Sequence, residues 1–146
     1  MIIAGDWLLC PDGVRRPTVS GTIHTAGGSL RDIVFLLDSG ADRSVFLASV
    51  LQRLNLPAAP PPADYQLVGV GGSSAFVLVQ AVIELTRDDG KPARIRGEFA
   101  AFVNPMAADF CVLGRDVLDN FDVILSRRRG QVLLLAPNHH YQVLTA

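Results

Sequence analysis

The chain has 146 residues, of which 49% are hydrophobic and 18% are charged, and its formal net charge is −1. This length and composition predict one folded domain and exclude a disordered chain. The near-zero net charge gives no electrostatic reason to expect a nucleic acid or a membrane surface as partner. Cys10 and Cys111 stand alone without the spacing of metal ligands, and residues 1–10 resemble neither a signal peptide nor a membrane span. We therefore expect a cytoplasmic protein that needs no metal or cofactor.

The first half of the chain is expected to begin with β-strands. Residues Met1–Leu9 could form an edge strand, and Thr18–Thr25 and Leu30–Leu37 are separated by a glycine-rich turn that predicts a hairpin. Apolar residues at helical spacing predict a short helix over Leu47–Asn55, which Pro57 would end. The proline-rich stretch that follows predicts an exposed connection.

The second half of the chain also alternates between short apolar runs and turn residues. Its predicted strands are Tyr65–Val68, Ala75–Leu85, Ile95–Val103, Phe110–Leu113, Phe121–Leu125 and Gln131–Leu135, with a further candidate at Tyr141–Leu144. The run Ala75–Leu85 is so apolar that either both faces are buried or a partner covers one of them. Arg115–Asn120 forms at most a short helix. Many short strands with one or two helices predict an all-β barrel or sandwich.

The segment Val34–Phe46 contains the strongest candidate for chemistry. Four apolar residues lead to Asp38, and Ser39, Gly40 and Ala41 follow it. An ordinary polar turn at the end of a buried strand would look the same. A hydroxyl and close backbone N–H groups would nevertheless suit an acid that is held in place for chemistry. One carboxylate is a poor catalyst of amide hydrolysis, whereas two held about 3 Å apart share a proton and can act as acid and base.

Two other motifs bear on Asp38. The glycine-rich segment Gly69–Gly72 is a poor phosphate cradle, because no Gly-Lys-Ser/Thr follows it, but it suits a mobile hairpin tip. A plain β-turn is the alternative. The second motif, Val112–Asp116, is an apolar-apolar-Gly block followed by an arginine, and Arg115 could also be an exposed residue at the start of a helix.

Three segments, in this order along the chain, resemble the signature motifs of the retropepsin-like (retroviral-type) aspartic proteases. They are Leu36-Leu37-Asp38-Ser39-Gly40-Ala41-Asp42, Val68-Gly69-Val70-Gly71-Gly72 and Val112-Leu113-Gly114-Arg115-Asp116-Val117-Leu118. The resemblance extends from Thr18 to Leu125 and is closest to the cellular and bacterial single-lobe members. It implies an all-β, closed retropepsin-like barrel with one or two short helices and a flap hairpin. The whole chain, 1–146, would be one such domain with its core at about 18–136.

The resemblance also implies a role for each motif residue. Asp38 would be the catalytic acid, in an active-site loop with Ser39, Gly40 and Ala41, and Asp42 and Arg115 would brace that loop as an ion pair. The flap, which would close over the substrate, is expected at Gly69, Val70, Gly71 and Gly72. Val112, Leu113 and Gly114 would form the second apolar-apolar-Gly block beside the loop.

The Asp-Ser/Thr-Gly triplet occurs only once in the sequence. A dyad therefore requires two chains, so the resemblance implies an aspartic endopeptidase that is active as a homodimer and binds a polypeptide substrate as an extended strand. Because the chain continues past Leu125, unlike retroviral members, we expect the Met1–Leu9 strand or the C-terminal tail to contribute to the dimer interface. The alternative is a non-proteolytic peptide-binding or dimerisation module of the same fold.

Overall fold

The structure, a computed structural model, describes residues 1–56, 59–61, 68–69, 72–73, 75–137 and 142. Within these residues it contains eleven strands and two short helices. The strands are β1 (Ile2–Leu9), β2 (Arg15–Thr25), β3 (Gly28–Leu37), β4 (Val45–Phe46), β5 (Val68–Gly69), β6 (Gly72–Ser73), β7 (Phe76–Thr86), β8 (Pro92–Phe102), β9 (Cys111–Leu113), β10 (Asp122–Ser126) and β11 (Gln131–Leu135). The helices are α1 (Ala48–Leu54) and α2 (Arg115–Leu118).

Six strands close into a barrel in the order β2-β3-β9-β4-β8-β7, and β7 pairs again with β2. β2 and β3 form the predicted hairpin, and β7 and β8 pair antiparallel along their whole length. Two strand pairs in the barrel are parallel, β3 with β9 and β4 with β8. The prediction of an all-β closed barrel with short helices is confirmed.

Three more strands extend the barrel sheet on one side, in the order β10-β11-β1-β2. The first half of β1 pairs with β11, and its second half pairs with β2. Gly5 lies at this change of partner, where a side chain would collide with the carbonyl of Thr18. The prediction that β1 is an edge strand is therefore wrong, and β10 occupies the end of the sheet instead.

The barrel encloses one large apolar core. Its fully buried side chains come from strands all round the ring: Phe35, Phe46, Ile23, Ile83, Leu85 and Leu113. The rings of Phe46 and Phe99 pack with their centroids 5.5 Å apart. β7 buries Val79, Ala81, Ile83 and Leu85 on this side, whereas its other face is partly exposed beyond Leu78. The sequence left open whether both faces of this strand are buried or a partner covers one of them. Both faces are buried only at the beginning of β7.

Several predicted boundaries shift for identifiable reasons. β8 begins at Pro92 and not at Ile95, because proline is tolerated as the first residue of a strand. β4 was not predicted at all, since two residues carry no periodicity. α1 starts at Ala48, one residue later than the predicted Leu47, and ends at Leu54. The predicted strand Tyr65–Val68 lies outside the described residues except for Val68, and Tyr141–Leu144 lies outside them except for position 142.

Candidate active site

The parallel pairing of β3 with β9 brings the first and third motifs together. Leu36 lies opposite Val112, and Leu37 lies opposite Leu113. Parallel strands end at the same edge, so the chain leaves β3 at Asp38 and leaves β9 at Gly114 side by side. The backbone N–H of Asp38 donates to the carbonyl of Leu113 at 3.0 Å, which extends the pairing by one residue.

Asp38 sits in a tight turn directly after β3. Its carboxylate accepts the backbone N–H of Gly40 at 2.9 Å, and its carbonyl accepts the N–H of Ala41 at 3.2 Å. Phe35 and Leu37 are buried in the core, and Asp38 follows directly after them at the end of the strand. Asp38 is half-buried and its carboxylate is held by the backbone of the turn, while Ser39 and Gly40 are exposed.

The loop from Asp38 to Arg43 is attached to the start of α2 by two backbone hydrogen bonds. The N–H of Arg115 donates to the carbonyl of Ala41 at 2.8 Å, and the N–H of Asp116 donates to the carbonyl of Asp42 at 3.2 Å. The side chains of Arg115 and Asp42 also form the predicted ion pair. Their side chains are 53% and 78% exposed, and exposed pairs contribute little to stability. The backbone bonds therefore hold the loop more firmly than the ion pair does.

Sequence reasoning missed a buried polar contact behind this loop. The hydroxyl of Ser44 donates to the Asp116 carboxylate at 2.6 Å and accepts the backbone N–H of Gly114 at 3.0 Å. The backbone N–H of Ser44 donates to the same carboxylate oxygen at 2.9 Å. Ser44 is fully buried, so these bonds satisfy groups that water does not reach. Two features of the sequence could have indicated this contact. Asp116 is an acid next to Arg115 in the third motif, and Ser44 is a small hydroxyl residue next to an apolar pair.

Gly114 is where the two segments approach most closely. A Cβ atom at this position would lie 2.5 Å from the carbonyl carbon of Arg43 and 2.8 Å from the carbonyl oxygen of Ala41. Both neighbours are backbone atoms of the loop that carries Asp38, so they cannot swing aside as a side chain could. The third motif thus requires glycine in order to lie against the first.

An open pocket of about 660 Å³ lies beside the Asp38 strand. Leu36 lines it together with its partner Val112. The remaining lining residues are Cys10, Pro11, Asp12, Arg16, Ala108, Asp109 and Phe110. The Arg16 guanidinium and the Asp12 carboxylate form an ion pair at 2.7 Å, which lowers the pKa of Asp12 to about 2. The pocket thus combines an apolar wall with one charged pair.

The glycine-rich motif is described only in part. Val68 pairs antiparallel with Ser73, and Gly69 pairs with Gly72, so two strands meet around the motif. Val70 and Gly71, the expected tip of the flap, lie outside the described residues.

The described ranges contain no group of three or more histidine, cysteine, aspartate or glutamate side chains that could hold a metal ion. No described helix is both long and apolar enough to cross a bilayer.

Solved structures of other proteins have a similar fold. No protein-family model matches the sequence, and no curated protein matches it. Among solved structures, the chain is similar to the EIAV protease complexed with the inhibitor HBY-793, at 24% identity and a TM-score of 0.52, over 71% of this chain and 86% of that chain. It is also similar to a retropepsin-like aspartic protease from Rickettsia conorii, at 15% identity and a TM-score of 0.55, over 92% of this chain and 97% of that chain. The chain therefore has the retropepsin-like fold that its motifs predict.

Proposed function

We propose that this chain is one subunit of a homodimeric aspartic endopeptidase, in which Asp38 and Asp38 of the second subunit activate a water molecule. The observation that carries the proposal is the position of Asp38. It is a half-buried carboxylate at the meeting point of two parallel strands, fixed by backbone bonds to Gly40 and Leu113. A catalytic carboxylate needs this kind of fixed geometry before it can share a proton with a second one.

The dimer follows from chemistry. One carboxylate cannot both accept a proton from water and donate one to the substrate carbonyl in the same step, whereas a pair that shares one proton can do both. The sequence contains one Asp-Ser-Gly triplet, so the second carboxylate must come from another copy. A two-fold axis that passes between the two Asp38 loops is the simplest arrangement that makes both halves of the site equivalent.

The substrate would be a polypeptide in extended conformation. On the strand that leads to Asp38, the pocket wall formed by Leu36, Phe110 and Val112 would offer an apolar surface to a substrate side chain. The glycine-rich segment Gly69–Gly72, as a flap, would close over the bound chain and exclude water. Closure would also offer backbone groups to the substrate, which is how an extended peptide gains affinity without a particular sequence.

The test of the proposal is Asp38→Asn in a peptide-cleavage assay. The amide keeps the size and the hydrogen-bond acceptor of the carboxylate but cannot take up a proton, so we expect cleavage to fall by about 10²- to 10⁴-fold. The substrate is a library of peptides with an apolar residue on each side of a central bond, and mass spectrometry of the products locates the cleavage. The wild-type activity should also be blocked by a pepstatin-type inhibitor.

The matched control is Asp32→Asn on the same strand. Asp32 is exposed and has a positive φ of 58°, which asparagine tolerates as well as aspartate, so this variant should fold and cleave like the wild type. Equal activity of Asp38→Asn and the wild type would overturn the proposal. A wild-type protein that binds peptides in calorimetry but leaves every one of them intact would instead be the non-proteolytic module.

A further inference from the structure

We infer that the edge of β8 from Pro92 to Phe99 binds an acidic segment of another protein, which adds a strand to the barrel sheet at this edge. This surface is separate from the proposed active site, because none of the residues that line it belongs to the Asp38 loop or to the pocket beside the Asp38 strand. Binding at the β8 edge therefore does not depend on the proposed peptidase activity.

β8 has one fully paired edge and one edge that is mostly free. On one side all eleven of its residues pair with β7. On the other side β4 pairs only with Ala100 and Ala101, so the edge from Pro92 to Phe99 has no strand partner within the described residues. The unpaired backbone N–H and C=O groups of such an edge can pair with another strand.

A groove of about 460 Å³ lies at this edge. Five consecutive residues of β8, Pro92–Arg96, line it, and the other lining residues are Met1, Arg87, Asn120 and Phe121. Five residues of a strand extend over about 13 Å. The groove therefore follows the strand far enough to hold about the same number of residues of an added strand.

The two faces of this edge differ in their chemistry. Side chains alternate along a strand, so Arg94 and Arg96 lie on one face, and Ala93 and Ile95 lie on the other. The two arginines are exposed, whereas Ala93 and Ile95 are half-buried and pack, like Phe121, against the apolar core. A strand paired at this edge continues both faces, so its side chains meet arginine and apolar residues in turn.

The lining of the groove is positively charged. Arg87, Arg94 and Arg96 line it, and none of the described residues around it is acidic. Arg87 pairs with Asp89 at 2.6 Å and Arg94 pairs with Glu84 at 2.8 Å, but Arg96 has no acidic partner in the part of the chain that the structure describes. A strand in which acidic and apolar residues alternate would place its carboxylates on the arginine face and its apolar side chains on the other face.

Charge also argues against two other occupants of this edge. A second copy of the chain, paired antiparallel about Ile95, would place Arg94 opposite Arg96 of the second copy, and like charges directly opposite each other are destabilising. Residues 138–146 of the same chain contain no acidic residue, so they offer no carboxylate to Arg96. The occupant that fits is an extended segment of another protein with acidic and apolar residues in alternation.

The experiment measures the binding of short fluorescein-labelled peptides to the full chain by fluorescence anisotropy. One peptide alternates glutamate with valine, a second has the same composition as a block of glutamates followed by a block of valines, and a third alternates lysine with valine. We expect the alternating glutamate peptide to bind at least about 10-fold more tightly than either of the others. Equal binding of the block peptide would show that charge alone accounts for the affinity, and would overturn the added strand.

Backbone pairing is tested with two N-methylated forms of the alternating glutamate peptide. The amide nitrogens of the glutamates are methylated in one form, and those of the valines are methylated in the other. Only every second residue of a strand directs its N–H group toward a given neighbour, so one form should lose binding and the other should keep it. An equal effect of the two modifications would contradict strand pairing.

The contribution of the arginine face is tested at Arg96. Arg96→Glu reverses the charge that has no partner, so we expect the dissociation constant of the alternating glutamate peptide to rise by roughly 10-fold or more, and Arg96→Lys to restore most of the affinity. Arg96→Glu should also bind the alternating lysine peptide more tightly than the wild type does, which shows that the variant is folded. The control is Arg53→Glu at an exposed position of α1, which should bind like the wild type. Equal affinity of Arg96→Glu and the wild type for the glutamate peptide would overturn the site.

A saturating pepstatin-type inhibitor separates this site from the proposed active site. The inhibitor would occupy the groove at Asp38 and should leave binding at the β8 edge unchanged. Persistent binding supports the β8 site even if no form of the protein cleaves a peptide. Loss of all peptide binding in the presence of the inhibitor overturns the β8 site and leaves the proposed function standing. A wild type that binds none of the peptides, as expected if another part of the same chain covers the edge, also overturns the β8 site.

Discussion

Ser44 links the end of the Asp38 loop to the junction between β9 and α2. It is fully buried, and its hydroxyl links the Asp116 carboxylate to the backbone N–H of Gly114. The ion pair between Asp42 and Arg115 lies on the exposed side of the same loop. Water competes for both partners of the ion pair but does not reach the Ser44 hydroxyl, so loss of the serine should be the more damaging change.

We predict that Ser44→Ala lowers the free energy of unfolding by about 1–3 kcal/mol. The alanine fits the space, but the buried N–H of Gly114 loses its acceptor. The free-energy cost of removing this N–H from water is then no longer offset by a hydrogen bond. The control is Ser20→Ala at an exposed position of β2, which should change the free energy of unfolding by less than about 0.5 kcal/mol. Chemical denaturation of the two variants provides the comparison. Equal stability of both would mean that the buried serine contributes nothing to the loop.

The contrast between Asp38 and Ser44 shows which site residues the sequence could reveal. Asp38 is recognisable because its signals are local, an apolar strand followed at once by a hydroxyl residue and a glycine. The partner of Ser44, Asp116, lies 72 residues away, so the contact depends on a pairing that is not local in the sequence. The pairing of Asp42 with Arg115 was predicted from the resemblance alone, and the two side chains do meet.

At the scale of elements, the junction between β9 and α2 fixes how closely the third motif approaches the first. Gly114 ends the strand and caps the helix, with the backbone of Arg43 and Ala41 against it. The N–H groups of Val117 and Leu118 both donate to its carbonyl, so the turn cannot open without losing the start of the helix. Strand, glycine and helix therefore hold the loop as a unit.

We predict that Gly114→Ala lowers the free energy of unfolding by about 1–3 kcal/mol and also reduces peptide cleavage, because the new methyl group pushes the loop away from α2. The control is Gly97→Ala in β8, where an added Cβ would meet only the side chain of Phe99, at 3.1 Å. The ring of Phe99 is buried but needs to move by only a few tenths of an ångström, whereas backbone blocks the Cβ at Gly114, so we expect a smaller loss of stability and no loss of cleavage. Similar losses in both variants would show that the close approach at Gly114 is not what positions Asp38.

The elements themselves were predictable to different degrees. Long strands such as β7 and hairpins such as β2–β3 show in the sequence, since their apolar runs and turn residues are local. β4 does not, because its two residues are held by pairing with β8 and β9, which lie far away in the chain. The position of β1 inside the sheet, and of β10 at its end, depends equally on distant pairings. For this reason the sequence indicated the strands but not their order in the sheet.

At the scale of the whole molecule, three carboxylates, of which two are exposed and one is half-buried, accept bonds at separate places on the sheet. The Arg16 side chain lowers the pKa of Asp12 to about 2, and the Arg94 side chain lowers the pKa of Glu84. The backbone N–H of Ile2 lowers the pKa of Asp88, which fastens the start of β1 to the turn after β7. Each of these groups is more acidic in the folded chain than in the unfolded chain, so each stabilises the fold only while it is ionised.

These lowered pKa values determine how the stability of the fold changes with pH. Above pH 4 the folded and the unfolded chain both carry ionised Asp12, and its contribution to stability is complete. As the pH falls from about 4 toward 2, the unfolded chain takes up the proton first, and the contribution of Asp12 is lost. Glu84 and Asp88 change stability in the same direction. We therefore predict that the urea midpoint of unfolding is nearly constant from pH 7 to 5 and falls steadily below pH 4.

Two comparisons test whether these carboxylates cause the fall of the urea midpoint below pH 4. Asp12→Asn cannot titrate, so its midpoint should fall less steeply between pH 4 and 2 than that of the wild type. High salt should flatten the wild-type profile, because these pairs are exposed and salt screens them. A midpoint that stays level down to pH 2.5, or an Asp12→Asn profile as steep as the wild type, would contradict the assignment. An acid-stable fold would then have to depend on the apolar core alone.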